Sequence, residues 1–133
     1  MGYTHYWTLK CSSSEENKKK FKKAVTLLKK CLKEVQVPLA GGNGTGKPVF
    51  KDNYICFNGV GEDSYETCYI GFDDGFNFCK TVRKPYDVVV CLALLCFKIA
   101  FGDDFEYSSD GNEEDDGWKQ AIKVFNEKTS KND

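Results

Sequence analysis

FCKTVRKPYDVVVCLALLCFKIAFG, residues Phe78 to Gly102, is the stretch around which the chain is organised. From Val88 to Phe97 it is apolar almost all the way round, and a helix without a polar face has to be buried on most sides. The stretch therefore predicts a central helix. Proline is accommodated in a first helical turn, and the residue before it, Lys84, is pushed out of the α region, so the helix is expected to begin at Pro85. A helix start carries unpaired N–H groups and the positive end of the dipole, where carboxylates are the natural complement. Here Lys80, Arg83 and Lys84 crowd that end and Asp87 alone opposes them, which suggests a place for an anion.

Working outward, Tyr3 to Lys10 alternates and is rich in aromatic and threonine residues, the signature of a strand. Alternation puts Thr4, Tyr6 and Thr8 on one face and Tyr3, His5 and Trp7 on the other. One set must meet the helices; the other is free to line a pocket, and rings beside an imidazole suit the stacking of a nucleobase. Ser13 and Glu16 stand at capping-box spacing before a helix reaching about Val35, with Phe21, Val25, Leu28, Leu32 and Val35 as its apolar stripe. Pro38 ends that helix. Residues Gly41 to Lys47 fit the phosphate-cradling pattern GxxxxGK, but a helix rather than a strand precedes them and Pro48 stands where Ser or Thr would hold magnesium. Lys47 is kept only as a residue of a glycine loop able to close over a ligand.

Short strands are expected at Pro48–Phe50, Tyr54–Asn58, Tyr65–Phe72 and Phe76–Lys80, with a turn at Asp73-Asp74-Gly75. After the central helix come a strand at Asp104–Ser108, a turn at Ser109-Asp110-Gly111, and a last helix facing inward with Trp118, Ala121, Ile122 and Phe125. Residues from Lys128 onward are expected to fray. The order β-α-β-β-α-β-α defines an α+β class: an antiparallel sheet with helices packed on one face, close to the split βαβ arrangement.

The 133 residues fit a single domain, 1–133. An apolar fraction of 41% with 14% aromatics excludes disorder, and a net charge of -1 argues against binding bulk nucleic acid. The charge is segregated: eight lysines lie from Lys18 to Lys33, and Asp103, Asp104, Glu106, Asp110, Glu113, Glu114, Asp115 and Asp116 follow late in the chain. Seven cysteines, none at CxxC spacing, fit a reducing cytoplasm rather than a disulfide framework or a thiolate metal site. No leader pattern opens the chain, and residues 85–101 fall short of the ~20 that a bilayer demands. The expectation is a cytoplasmic protein with no membrane partner, no cofactor and no metal. His5, the single histidine, excludes a His-cluster metal site and is the best general base if the protein is an enzyme.

GYTHYW at 2–7, GTGKPVF at 44–50, FNG at 57–59, the pair Glu66-Thr67, FCKTVRKPYD at 78–87 and SSDG at 108–111, in this order, resemble a family of small bacterial and phage proteins of unassigned function. The resemblance spans nearly the whole chain. It implies a compact domain and a phage or mobile-element setting, hence the host cytoplasm, and no established activity. By analogy with phage-borne domains that act as sponges, the expected function is non-enzymatic. The chain is expected to sequester a nucleotide-derived signal, a cyclic dinucleotide or an ADP-ribose derivative, and so antagonise host antiviral defence. Lys80, Arg83 and Lys84, helped by Thr81, hold phosphate in this reading. His5, Tyr6, Trp7 and Tyr86 meet base and ribose, Ser108, Ser109 and Asp110 cap the site, and Asp87 and Lys47, the latter in the glycine loop, are counted among the ligand-binding residues. The alternatives are a nucleotide phosphodiesterase or hydrolase using His5 with Asp87 or Asp110, and a protein-interaction (inhibitor) module working through the lysine helix or the acidic loop. Self-association into a homo-oligomer is compatible with all three, because the apolar helix could form a twofold interface.

Overall fold

A computed structural model of the chain describes residues 2–72 and 75–130. The expected turn residues Asp73 and Asp74, and the end of the expected frayed tail at 131–133, lie outside them. The elements run β1 (Thr4–Leu9), α1 (Glu15–Leu32), β2 (Val49–Phe50), β3 (Tyr54–Phe57), β4 (Cys68–Gly71), β5 (Phe76–Lys80), α2 (Asp87–Phe101), β6 (Phe105–Ser109) and α3 (Asp116–Thr129). The fold is α+β, as the alternation of periods predicts. Among the described residues pairing is antiparallel, and the strands form two three-stranded sheets, β5-β1-β6 and β2-β3-β4, where a single sheet was expected. Strands β5 and β6 flank β1 and are both antiparallel to it, so they run parallel to each other and are joined through α2, the split βαβ arrangement the element order predicts.

The helix α2 is buried along most of its length, including Val89 to Leu94, Cys96 and Phe97 at 0% exposure. It packs against both α1 and α3 and against β6. Ile99 is its one strongly exposed large apolar residue. Phe21 of α1 meets Phe97 edge to face at 4.8 Å, and Trp118 and Ala121 bring α3 onto the same core. Burying side chains of this size contributes roughly 1.5–3 kcal/mol each, which is why the apolar stretch dictates the arrangement around it.

Two boundaries differ from expectation for local reasons. Helix α1 is capped by Ser14, whose hydroxyl accepts the Asn17 N–H at 3.2 Å, so the Ser13–Glu16 box is not used. Helix α2 begins at Asp87 and not at Pro85, because Lys84 N–H donates to Thr81 O and Asp87 N–H to Lys84 O, spending those groups on two tight turns first. Within those turns Val82 has φ 44° and Arg83 φ 62°. Left-handed backbone is costly for residues with a Cβ, and a β-branched valine there is a true outlier. No described helix is long and apolar enough to cross a membrane.

Candidate ligand-binding pocket

Sheet β5-β1-β6 puts Tyr3, His5, Trp7 and Leu9 under the helices, all at 3% exposure or less. Cross-strand register sets His5 beside Ser109, and the turn after β5 brings Thr81 and Asp87 over the same spot. A continuous buried network results. The Thr81 hydroxyl donates to Asp87 Oδ1 at 2.5 Å, His5 Nε2 lies 2.6 Å from the same oxygen, and Ser109 Oγ lies 2.8 Å from His5 Nδ1. Ser109 Oγ also accepts the Gly111 N–H at 2.9 Å and the Trp118 indole N–H at 3.1 Å. A hydroxyl has two lone pairs and one proton, so with both pairs filled it donates to Nδ1, which leaves the ring hydrogen on Nε2, donated to Asp87. Burial and the neighbouring Asp87 push the thiol pKa of Cys91, one helical turn on from Asp87, well upward.

This geometry bears on two kinds of chemistry. His5, Asp87 and Cys91 present donor atoms within 4.8 Å of one another, a set of the type that holds zinc. The 2.6 Å contact of Nε2 with Oδ1 is a hydrogen bond, since two ligands of one tetrahedral ion at bond lengths of ~2.0–2.1 Å stand about 3.3 Å apart. Metal on Nε2 would also move the ring hydrogen to Nδ1 and require Ser109 Oγ to accept a third hydrogen bond, so the residues fit a hydrogen-bonded network better than an ion. Nor is the Ser109–His5–Asp87 line a ready nucleophile and base, because His5 is at 0% exposure and the serine lone pairs are engaged.

The network does reach the surface at one end. Asp87 forms part of the wall of a pocket of ≈ 530 Å³ whose other walls include Tyr3, Arg83, Lys84, Asp115 and Gly117. Cavities of roughly 300–1,000 Å³ are the size that holds small ligands. The left-handed turn at Val82 and Arg83 throws the Arg83 guanidinium over the Tyr3 ring, 3.9 Å from its centroid, and Arg83 Nη1 donates to Asp115 Oδ1 at 2.6 Å. That ion pair holds the Asp115 carboxyl below the usual carboxylate range and raises the Arg83 pKa. Lys84 Nζ donates to the Glu62 carbonyl at 3.0 Å. Glu114 and Asp116 complete an acidic rim.

The expected site residues are distributed over four places. Arg83, Lys84 and Asp87 share the pocket. His5, Trp7, Thr81 and Tyr86 are buried beneath it or beside it, and Ser109 is partly buried with them. Trp7 at 2% and Tyr86 at 0% exposure present no ring face to a base, and the Tyr86 hydroxyl is spent on Glu66 O at 2.5 Å. Tyr6 and Ser108 point to the opposite, open face of the sheet, where they border a small groove with Phe76 and Glu106. Asp110 closes the end of that face, accepting the Thr4 N–H at 3.0 Å, and Lys80, cross-strand from Thr4, adds no wall to the pocket. Lys47 is exposed in the 41–48 loop and likewise lies away from it. These residues were expected in one site because alternation and chain order cannot tell which sheet face a neighbouring loop covers.

Tyr3, Asp115 and Gly117 were missed. Tyr3 was visible only as a face-mate of His5. Asp115 and Gly117 lie at the end of the acidic stretch, and only the tertiary docking of α3 brings them to Asp87. No family model, no curated protein and no solved structure matches the chain.

Proposed function

We propose that the chain is a non-enzymatic binder of a nucleotide-derived signalling molecule, of the cyclic dinucleotide or ADP-ribose kind, and that the ligand occupies the Arg83–Asp87 pocket. One observation carries the reading: a strained turn delivers Arg83 and Lys84 to the same ≈ 530 Å³ cavity as Tyr3 and the Asp87 carboxylate. Backbone strain of this kind, of order 1–3 kcal/mol per residue, accumulates where function needs a side chain in a set place. The two cations suit phosphate, and the carboxylates of Asp87, Glu114, Asp115 and Asp116 suit the hydroxyls and N–H groups of ribose and base. That balance favours a ligand with few phosphates over a polyanion. Given the resemblance to phage and bacterial small proteins, sequestration would remove a signal of host antiviral defence.

A second reading, nucleotide hydrolysis with His5 as base, is favoured by the 2.6 Å His5–Asp87 hydrogen bond and the 2.8 Å contact of Ser109 with the other ring nitrogen. It is the weaker one, because the ring faces no cavity. A thermal-shift screen of the purified protein against nucleotides, cyclic dinucleotides and ADP-ribose, with recovery of each hit after denaturation, separates the two. A ligand at 100 times its dissociation constant adds ~2.7 kcal/mol. An intact recovered ligand supports the binder, a cleaved one supports the hydrolase, and no shift with any of them contradicts both.

A further inference from the structure

Strand β6 is an edge of its sheet, with β1 on one side and no described strand on the other. In an antiparallel pair, successive residues turn their N–H and C=O alternately toward the partner and away from it. Asp110 N–H donates to Thr4 O and Lys10 N–H to Asp104 O, so Glu106 and Ser108 serve β1 while Phe105, Tyr107 and Ser109 turn their backbone groups outward. Phe105 is provided for: its N–H donates to Gly102 O and its carbonyl accepts Lys98 Nζ at 3.0 Å. The backbone N–H and C=O of Tyr107 and of Ser109 have no hydrogen-bond partner among the described residues. An edge with open donors and acceptors is a template for another extended chain.

A groove of ≈ 310 Å³ lies along this edge, and its lining shares no residue with the Arg83–Asp87 pocket. Tyr107 and Ser109, both half-buried, line it together with Leu95 of α2 and Trp118 and Ile122 of α3. The rings of Tyr107 and Trp118 stack at 5.8 Å and 17°, and Ser109 Oγ holds the indole N–H at 3.1 Å, so the groove is preformed. Ile99, one turn on from Leu95 along α2 and 59% exposed, continues the apolar wall. A strand laid on β6 turns every second side chain toward that wall while its backbone meets Tyr107 and Ser109.

Charge decides the occupant. From Asp103 to Asp116 the chain carries eight acids and neither lysine nor arginine, and Glu113 lines the groove. Strand β6 is therefore bracketed by Asp103 and Asp104 before it and by Asp110, Glu113 and Glu114 after it. Lys98, the cation at the Phe105 end, is spent on the Gly102 and Phe105 carbonyls. A second copy pairing through its own β6 would set acids against acids at both ends, and like charges placed opposite one another are destabilising. A strand with lysine or arginine at its ends is the complement.

We propose that the open edge of β6 and the groove beside it dock an extended peptide segment of a protein partner, apolar at alternate positions and flanked by lysine or arginine. The segment adds a fourth strand to β5-β1-β6, with Tyr107 and Ser109 supplying the backbone hydrogen bonds and Leu95, Trp118 and Ile122 receiving its apolar side chains.

A displayed library of random peptides, selected on the immobilised full chain at low salt, supplies the probe. Enriched sequences are expected to alternate apolar with other residues and to carry lysine or arginine at an end. A saturating amount of the most enriched peptide, made synthetically, is expected to slow amide hydrogen exchange at Tyr107 and Ser109 by ~10-fold or more, read by NMR. Glu113 is exposed, and Glu113→Lys is expected to weaken that peptide by ~5-fold or more with the melting temperature unchanged. N-methylation of the peptide backbone at alternate residues, which removes donors and leaves the side chains, abolishes binding in one of the two phases. No enrichment, enrichment of acidic sequences, or binding that leaves exchange at Tyr107 and Ser109 unchanged overturns the proposal. A concentration-dependent dimer in which those two amides are already protected without peptide overturns it in favour of a second copy.

Discussion

His5 Nε2 and Asp87 Oδ1 lie 2.6 Å apart across 82 positions of sequence, joining the central strand of one sheet to the first turn of the buried helix. Both residues are at 5% exposure or less, and the contact continues through Ser109 to Trp118 and through Thr81 to the strained turn. The network ties three elements to the floor of the pocket.

Removing one member strands the others. His5→Ala leaves the Asp87 carboxylate buried with one donor fewer and Ser109 without its acceptor, and breaking a buried polar pair in this way costs about 3–5 kcal/mol. Urea denaturation of His5→Ala, Asp87→Asn and the double variant is expected to give single losses of that order and a coupling above ~1 kcal/mol, since the two side chains touch. Additive losses would mean that the two residues stabilise the fold separately.

Val82 holds φ 44° with a branched Cβ. Glycine takes that conformation without strain, which offsets its greater chain entropy when unfolded. Val82→Gly is expected to hold stability level or raise it by ~1 kcal/mol in chemical denaturation, while weakening ligand binding because Arg83 is no longer pinned over Tyr3. A loss above 1 kcal/mol would show that the turn is not strained.

Tyr3 gives a pH signature. Its folded pKa is raised to about 12, above the ordinary tyrosine value near 10. Between these values the unfolded chain releases the proton and the folded one keeps it, so the stabilisation is whole below pH 10 and is lost as pH climbs toward 12. Tyr86 and Tyr107 are shifted the same way, so wild type declines across that window. Tyr3→Phe is expected to decline less steeply, measured as unfolding free energy at pH 9.5, 10.5 and 11.5. Identical slopes would contradict the burial of the Tyr3 hydroxyl.

The fold was legible where one residue set had a single way to be satisfied. Val88 to Phe97 has no polar side, so its place at the centre follows from composition, and β5 falls at Phe76–Lys80 as its sequence predicts. The division into two sheets was not legible, because β2 has two residues and β4 four, too few for alternation to fix a partner. Of the pocket, Arg83, Lys84 and Asp87 were visible as charges at a helix start. Their surroundings were not: Thr81 and His5 orient Asp87 only after β1 and the 81–87 turn dock, and Asp115 meets Arg83 from 32 positions away. Tyr6 and Trp7, adjacent in sequence, end on opposite faces of one sheet, and only the helices decide which face is inside.

The measurement that bears most directly on the central claim is a paired one on Arg83→Ala/Lys84→Ala: melting temperature, and affinity by calorimetry for the strongest hit among cyclic dinucleotides and ADP-ribose. The Arg83 side chain is exposed, Lys84 is half-buried with its ammonium on a carbonyl at the surface, and the Arg83–Asp115 pair is of the exposed kind that adds little to stability. The account predicts a melting temperature within a degree or two of wild type and a loss of binding of 100-fold or more. Wild-type affinity in the double variant would contradict the placement of the ligand between Arg83, Lys84 and Asp87.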